Sequence, residues 1–319
     1  MTETKRLLRG LLARPETLVV PGAGNALTAR IIEDVGFEAA YLSGAAIANW
    51  FLGSPDIGLT SLTEVAAHLA AVRESVSLPL IVDADTGFGN VLNTWHTVRV
   101  LERAGADAIQ LEDQTFPKRC GHFAGKAVIS EGEMVDKIAM AVESRSDPDM
   151  LIIARTDARA VHGLAEACRR ANAYREAGAD VLFVEAPESV EEVETIVTEV
   201  PGLHVHNQVE GGVTPHVPVE RLTELGYSIA LFANLALLAS IRAARETLAH
   251  LRQGSGKKPP IATWLERQEA VRKPWFDALE QRHAPTTSTP PAAEISSPRV
   301  AHRFKTRGEK GKGNPDDRT

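Results

Sequence analysis

Residues 79–125 read PLIVDADTGFGNVLNTWHTVRVLERAGADAIQLEDQTFPKRCGHFAG. A short apolar run, Pro79 to Val82, stops abruptly at two carboxylates, Asp83 and Asp85, and a glycine-rich turn, Gly87 to Gly89. The spacing then predicts a helix from Leu92 to Arg103, closed by Gly105. A second strand, Asp107 to Leu111, ends in two more acids, Glu112 and Asp113. The loop beyond it carries Lys118, Arg119, Cys120, Gly121 and His122. This is one βαβ unit. Both strands release acids at their C-terminal ends, where parallel α/β folds build their sites.

The same beat runs outward in both directions. Apolar runs at Leu18–Val20, Ala39–Leu42, Leu80–Val82, Ala108–Leu111, Leu151–Ala154, Val181–Val184, His204–His206 and Ser228–Phe232 read as eight strands. Helical patterns fill the gaps at 26–35, 63–75, 92–104, 132–145, 165–177, 190–199, 218–225 and 235–252. Helix gives way to strand through glycine in VGFEAAYL, AGADAIQL, AGADVLFV and LGYSIALF, the expected place for a helix C-cap. Eight such repeats predict a (β/α)8 barrel over 1–253, a TIM-type α/β fold. The runner-up is a doubly wound open sheet, which would more naturally have about six strands. Beyond a Gly/Lys/Pro linker, a helical segment at about 261–282 bears Trp264 and Trp275, and Pro274 should break or restart it. Residues 254–283 therefore form a linker and an extra helical segment. Residues 284–319, rich in Pro, Ser and Thr and then Lys and Arg, read as a disordered tail.

Composition narrows the function. The 319 residues are 44% hydrophobic and carry a formal net charge of −7, which argues against nucleic acid as a partner. Two cysteines, Cys120 and Cys168, are too few for a disulfide framework and suit a reducing compartment. The stretch MTETKRLLRGLLARPE has no apolar core of a signal peptide, and no run is long enough to span a membrane. A cytoplasmic enzyme with a small-molecule substrate is the expectation.

In a barrel the strand ends converge on one mouth. They bring Tyr41, Ser43, Gly44 and Ala45 from the second strand, Asp83 and Asp85 from the third and Glu112 from the fourth. The fifth to seventh add Arg155, Asp157, Glu185 and Asn207, followed by Glu210-Gly211-Gly212. Clustered carboxylates without Cys or His ligands suit a hard cation, Mg²⁺ or Mn²⁺, that keeps several waters. Any one of these acids alone reads more simply as a cap or solvated turn; five strand ends together do not. Cys120 stands beside Lys118 and Arg119, and nearby positive charge favours thiolate and proton transfer. Cys168, among alanines and arginines on a helix, reads as a small buried hydrophobe. His204 and His206 share one strand face, but the further histidines of a zinc site are missing.

VDADTGFG, LEDQ followed by KRCGH, IIARTDA, FVEAPES and NQVEGGVTP, in this order, resemble the isocitrate lyase / phosphoenolpyruvate mutase superfamily. KRCGH is similar to the signature of its 2-methylisocitrate lyase and 2,3-dimethylmalate lyase branches. The resemblance implies a Mg²⁺-dependent carbon–carbon lyase that cleaves a 2-hydroxy di- or tricarboxylate to pyruvate and a second carboxylate. It implies Asp83 as direct metal ligand, with Asp85, Asp56 and Glu112 holding metal-bound waters. Ser43, Gly44 and Ala45 would receive the α-carboxylate, Tyr41 would be the candidate base, and Cys120 the general acid. Arg155, Lys118, Gly121, His122, Glu185 and Asn207 would position the substrate. A homotetramer that exchanges C-terminal helices is implied too. Gly44-Ala45, Glu185-Ala186-Pro187 and Glu210-Gly211-Gly212 depart from the methylisocitrate lyase pattern and resemble the alkylmalate side. Oxaloacetate decarboxylation, phosphonopyruvate or carboxyphosphonate chemistry, or a barrel retained for binding alone are the alternatives.

Overall fold

The computed structural model describes residues 2–121, 125–254 and 261–283. Eight strands close a barrel in sequence order: β1 Leu18–Ala23, β2 Ala40–Leu42, β3 Leu80–Asp83, β4 Ala108–Glu112, β5 Leu151–Thr156, β6 Val181–Val184, β7 Leu203–Asn207 and β8 Ile229–Phe232. Every neighbouring pair is parallel, and β1 pairs with both β2 and β8. Strands covered on both faces need apolar residues at every position. Their unbroken runs therefore show no polar alternation, and β3 to β6 are buried throughout.

Successive side chains still divide between two cores. Leu18, Val20, Ile81, Ile153, Phe183, Val205 and Leu231 fill the barrel. Leu80, Val82, Leu111, Ile152, Leu182 and Val184 pack outward against the helices. The helices end where glycine permits a left-handed turn: Gly36 (φ 99°), Gly105 (φ 112°) and Gly226 (φ 88°) are C-caps. The barrel between the predicted helices and strands thus stands as expected.

Several elements were not expected. An amphipathic helix Thr2–Leu12 precedes β1 and puts Leu8, Leu11 and Leu12 into the barrel core. A short helix Gly44–Ile47 runs into a π-helical turn Ala48–Leu52 after β2, and a five-residue helix Ala158–His162 follows β5. The chain divides into two units, one ending at Lys273 and one beginning at Pro274. The C-terminal segment is two helices, Trp264–Ala270 and Lys273–His283, the second restarting beside Pro274. The helix 264–270 opens with a capping box between Thr263 and Glu266. The linker 255–260 and the tail 284–319 lie outside the described residues.

Candidate active site

The period of two along each strand sets the site. Tyr41 and Ser43, Ile81 and Asp83, Gln110 and Glu112, Ile153 and Arg155, Phe183 and Glu185, Val205 and Asn207 each put an apolar or neutral group deeper and a polar one at the C-terminal mouth. They surround a chamber of about 50 Å³, lined by Tyr41, Ser43, Ala45, Asp56, Asp83, Lys118, Cys120, Gly121, Arg155, Glu185 and Asn207. The sequence-predicted residues therefore come together. Gly44, Asp85 and Glu112 stand directly behind that wall. An added Cβ at Gly44 would lie 3.1 Å from Asp83 Oδ2 and 3.2 Å from Asp85 Oδ1. Glu112 Oε2 is 3.4 Å from Arg155 Nε. His122 lies outside the described residues.

Asp56, Asp83, Asp85, Glu112, Asp157 and Glu185 bring six carboxylates; among the described residues Lys118, Lys126 and Arg155 pair with them, and Arg119 adds a fourth cation at the lining. The imbalance is visible in protonation. Burial, with Asp83 and Asp56 close by, pushes Asp85 up to about 6 although Lys118 opposes it. Burial drives Glu112 well above the usual carboxylate range against the pull of Arg155. Lys118 Nζ lies 2.5 Å from Asp56 Oδ1 and 2.9 Å from Asp85 Oδ1. Burial works against its charge, yet Asp85, Asp83, Glu112 and Asp56 hold it protonated.

These residues fit a hard divalent cation. Asp85 Oδ1 and Glu112 Oε1 are buried acceptors without a hydrogen-bond donor, and the ion pair of Asp85 with Lys118 lacks hydrogen-bond geometry. Asp83 accepts from Gly44 N at 3.3 Å, Gln110 Nε2 at 3.3 Å and Asp85 N at 3.2 Å. Among the described residues no three His, Cys, Asp or Glu side chains converge to ligate an ion directly. Such an ion would keep most of its waters, as Mg²⁺ does. Asp85 adopts φ 46°, a strained backbone for a non-glycine residue and one concentrated at functional sites.

Gln110, not singled out in the sequence, links the two halves: it accepts from Tyr41 OH at 2.9 Å and donates to Asp83. Burial, then Asp83, raises the Tyr41 hydroxyl well above its ordinary value, so it stands as a neutral donor. Arg155 lies 5.2 Å from the Phe183 ring centre, donates twice to Asp157 at 2.9 and 3.0 Å, and faces Glu185 at 3.5 Å. Asp157 is held down at about 2: burial raises it, but Arg155 and Lys126 outweigh that. Lys126 donates to Asp157 Oδ1 at 2.8 Å and to the carbonyl of Gly121, the residue after Cys120. Neither Gln110 nor Lys126 has a signal in one sequence, since each acts through a neighbour rather than at a strand end.

Other candidates resolve into structure. Asp113 faces outward and accepts from Thr156 Oγ1, Tyr174 OH and Asp157 N at 2.7, 2.8 and 2.8 Å. His204 contacts Val200 O at 2.7 Å, and both histidines stack edgewise on Tyr227, with burial lowering each. Cys168 is buried and its thiol pushed up to about 11.

Known proteins resemble this chain in sequence and fold. The family model described as phosphoenolpyruvate phosphomutase matches residues 8–252. A 2,3-dimethylmalate lyase of Eubacterium barkeri is 45% identical over 240 residues, covering 75% of this chain and 83% of its own. A 2-methylisocitrate lyase of Aeropyrum pernix is 43% identical over 278 residues, covering 87% and 89%. A crystal structure of 2,3-dimethylmalate lyase superposes with TM-score 0.83 at 32% identity, covering 89% of this chain and 96% of that one. Oxaloacetate acetylhydrolase with 3,3-difluorooxalacetate gives 0.82 at 32%, covering 88% and 96%. Phosphonopyruvate hydrolase with oxalate and Mg²⁺ gives 0.78 at 31%, covering 88% and 99%. With its eight-stranded barrel and this mouth, the chain belongs to the phosphoenolpyruvate phosphomutase family, within the superfamily of phosphoenolpyruvate mutases and isocitrate lyases.

Proposed function

We propose that the protein is a Mg²⁺-dependent carbon–carbon lyase that splits a 2-hydroxy di- or tricarboxylate into a 2-oxo acid, pyruvate, and a second carboxylate. One observation carries the reading: Cys120 lines the same small chamber as Asp83, Arg155 and Glu185. Hydrolysis or decarboxylation needs no thiol there, whereas cleavage of the C2–C3 bond leaves an enolate-like carboxylate that must gain a proton. Mg²⁺, held by Asp83 with Asp85, Asp56 and Glu112 behind it, would supply the positive charge that favours loss of the C2 hydroxyl proton.

The chain's own groups do the rest. Tyr41 and Gln110 stand beside Asp83 on the route by which that proton leaves, Tyr41 becoming the base where the cation's charge offsets the burial and the carboxylates that keep its hydroxyl protonated. Arg155, kept cationic by Asp157, Glu185 and Glu112 against the effect of burial, offsets charge gathering on the departing fragment. Cys120 Sγ gives the proton to C3. Ser43, Ala45, Lys118, Gly121, Glu185 and Asn207 close around the substrate, and the buried acceptor Asn207 Oδ1, which lacks a protein donor, suits a hydroxyl or a bound water.

The assembly is proposed as a cytoplasmic homotetramer joined through the segment after the barrel. Trp264 is 72% exposed, and on the next helix Trp275 is 54% exposed, so each helix by itself leaves a large aromatic side chain in water. No described helix is long and apolar enough to cross a membrane. The deciding experiment measures 2-oxo acid release from 2-methylisocitrate, 2,3-dimethylmalate, isocitrate and oxaloacetate, with Mg²⁺ and with EDTA. Metal-dependent cleavage of a hydroxy acid, lowered at least 10²-fold in Cys120→Ser, is expected. Turnover of oxaloacetate alone, unaffected by Cys120→Ser, would replace the lyase reading by the oxaloacetate one.

A further inference from the structure

A second cavity lies beside the reaction chamber. It holds about 250 Å³ against about 50 Å³ in the chamber itself. The two share a wall made of Ala45, Asp56, Cys120, Val209 and Asn234. The far side is Leu235, Leu237 and Leu238, at the start of the helix that follows β8. Of the described residues lining it none is Lys, Arg or His, and its two charged groups, Asp56 and Glu210, are both acids. Leu235 and Leu238 are 47% and 43% exposed, so a ligand here would take apolar surface out of water.

We infer that this cavity receives the substituent on C3 of the substrate, and that the substituent is an alkyl chain longer than methyl. The inference rests on the lyase reading above. The roomier space beside the chamber begins at the wall that Cys120 helps to form. Cys120 protonates C3, so the group on C3 is the one that lies against this wall. A third carboxylate placed there would be desolvated beside Asp56 and Glu210, and the nearby Lys118 is already engaged by Asp56 and Asp85, which disfavours a carboxymethyl group. An alkyl chain instead gains from each buried methylene about 0.8 kcal/mol, about 4-fold in kcat/KM.

The reaction balances without a co-reactant. In a 3-alkyl-2-methylmalate the C2 hydroxyl loses its proton and the C2–C3 bond breaks. Its electron pair passes into the C3 carboxylate as an enolate, and C3 takes a proton from Cys120. The products are pyruvate and a straight-chain monocarboxylate, R–CH2–COO⁻. One proton is taken up and one released, and nothing is oxidised or reduced. The upstream reaction class is the one that builds 2-methylmalates with a C3 alkyl branch, and the downstream class consumes fatty acids.

The test uses the full-length protein with Mg²⁺. Cleavage is measured for 2-methylmalates bearing methyl, propyl or pentyl on C3, beside 2-methylisocitrate. The expected result is kcat/KM at least 10-fold higher for propyl than for methyl, and lowest for the carboxymethyl compound. Leu238→Arg should remove the alkyl preference and raise relative use of the carboxymethyl compound at least 10-fold. Equal rates along the alkyl series overturn the inference and leave a second copy of the chain as the cavity's occupant; preference for 2-methylisocitrate also overturns it. If no hydroxy acid is cleaved, the lyase reading fails separately. Calorimetric binding of 2-alkylsuccinates, which lack the hydroxyl and cannot react, still decides the cavity: affinity climbing about 4-fold per methylene supports it, and a flat series rejects it.

Discussion

Gly121 follows the candidate acid, and its place is fixed by what it touches. A Cβ there would lie 2.4 Å from Arg155 Nη2 and 2.6 Å from Glu185 Oε1, closer than atoms can approach. Gly121→Ala must therefore displace either the peptide that follows Cys120 or the Arg155 and Glu185 side chains it meets. We expect kcat to fall at least 10²-fold in a lyase assay while the thermal midpoint moves by no more than a few degrees, because the loop can retreat towards solvent. Lys126 secures the same peptide from beneath. Lys126→Met removes the donor to the Gly121 carbonyl and one of two cations on buried Asp157. It should lower kcat by at least 10-fold and stability by about 1–3 kcal/mol, read from denaturant midpoints. A loss of activity with stability unchanged would mean that Asp157 is satisfied by Arg155 alone.

At the scale of elements, β4 shows how neighbouring acids take opposite duties. Glu112 turns into the mouth; Asp113, one residue on, turns out to join β4, β5 and the helix Leu164–Glu176. Arg170 adds a fourth partner at 3.2 Å. Asp113→Asn keeps the shape but cannot accept at both oxygens, so either the Asp157 amide loses its acceptor at Oδ1 or Thr156, Tyr174 and Arg170 together lose theirs at Oδ2. It should destabilise by about 3 kcal/mol in urea or guanidinium unfolding. The strand-end carboxylates were legible as a group, since four apolar runs broke at an acid or arginine. Which of two adjacent acids faced the mouth follows from the period of two only after the register is fixed, and no residue alone reveals that. Gln110 stayed hidden because a glutamine inside a strand marks no boundary. β7 shows the same from the other side: HVH invited a metal reading, but His206 is buried against Tyr227 and held at about 4 by burial. The unfolded chain binds that proton as pH falls below about 6.5, the folded one only near 4. Stability is therefore complete above pH 6.5 and is lost as pH falls towards 4, by on the order of 3 kcal/mol. His206→Gln should flatten unfolding free energy against pH in that window; an unchanged slope would assign the acid sensitivity elsewhere.

For the whole barrel, the eight-fold repeat was readable because each helix ended at glycine and each strand was short and apolar. The end of the barrel away from the acids was not. MTETKRLLRGLLARPE reads as a charged stretch, yet Leu8, Leu11 and Leu12 recur at helical spacing and join Leu18, Val20 and Leu151 in the inner core. Polar contacts fasten that helix around its rim: Lys5 to Glu102 at 2.9 Å, Arg9 to Asp180 at 3.0 Å and Thr4 to Asp107 at 2.5 Å. It closes the N-terminal end, while the candidate chemistry occupies the other, the division expected of this fold. The two ends therefore respond separately to mutation. Leu8, fully buried, loses most of its contacts in Leu8→Ala, at a cost of about 3 kcal/mol, the usual range for a truncated core leucine being about 2–5. Leu8 packs in the inner core and is not among the residues that line the chamber, so kcat/KM at 25 °C should stay within 2-fold of the parent wherever the variant is folded. Denaturant unfolding and activity measured on one preparation decide it. Stability and activity falling together, below the unfolding transition, would show that the closing helix reaches the site through the strands and that the barrel does not separate its two ends.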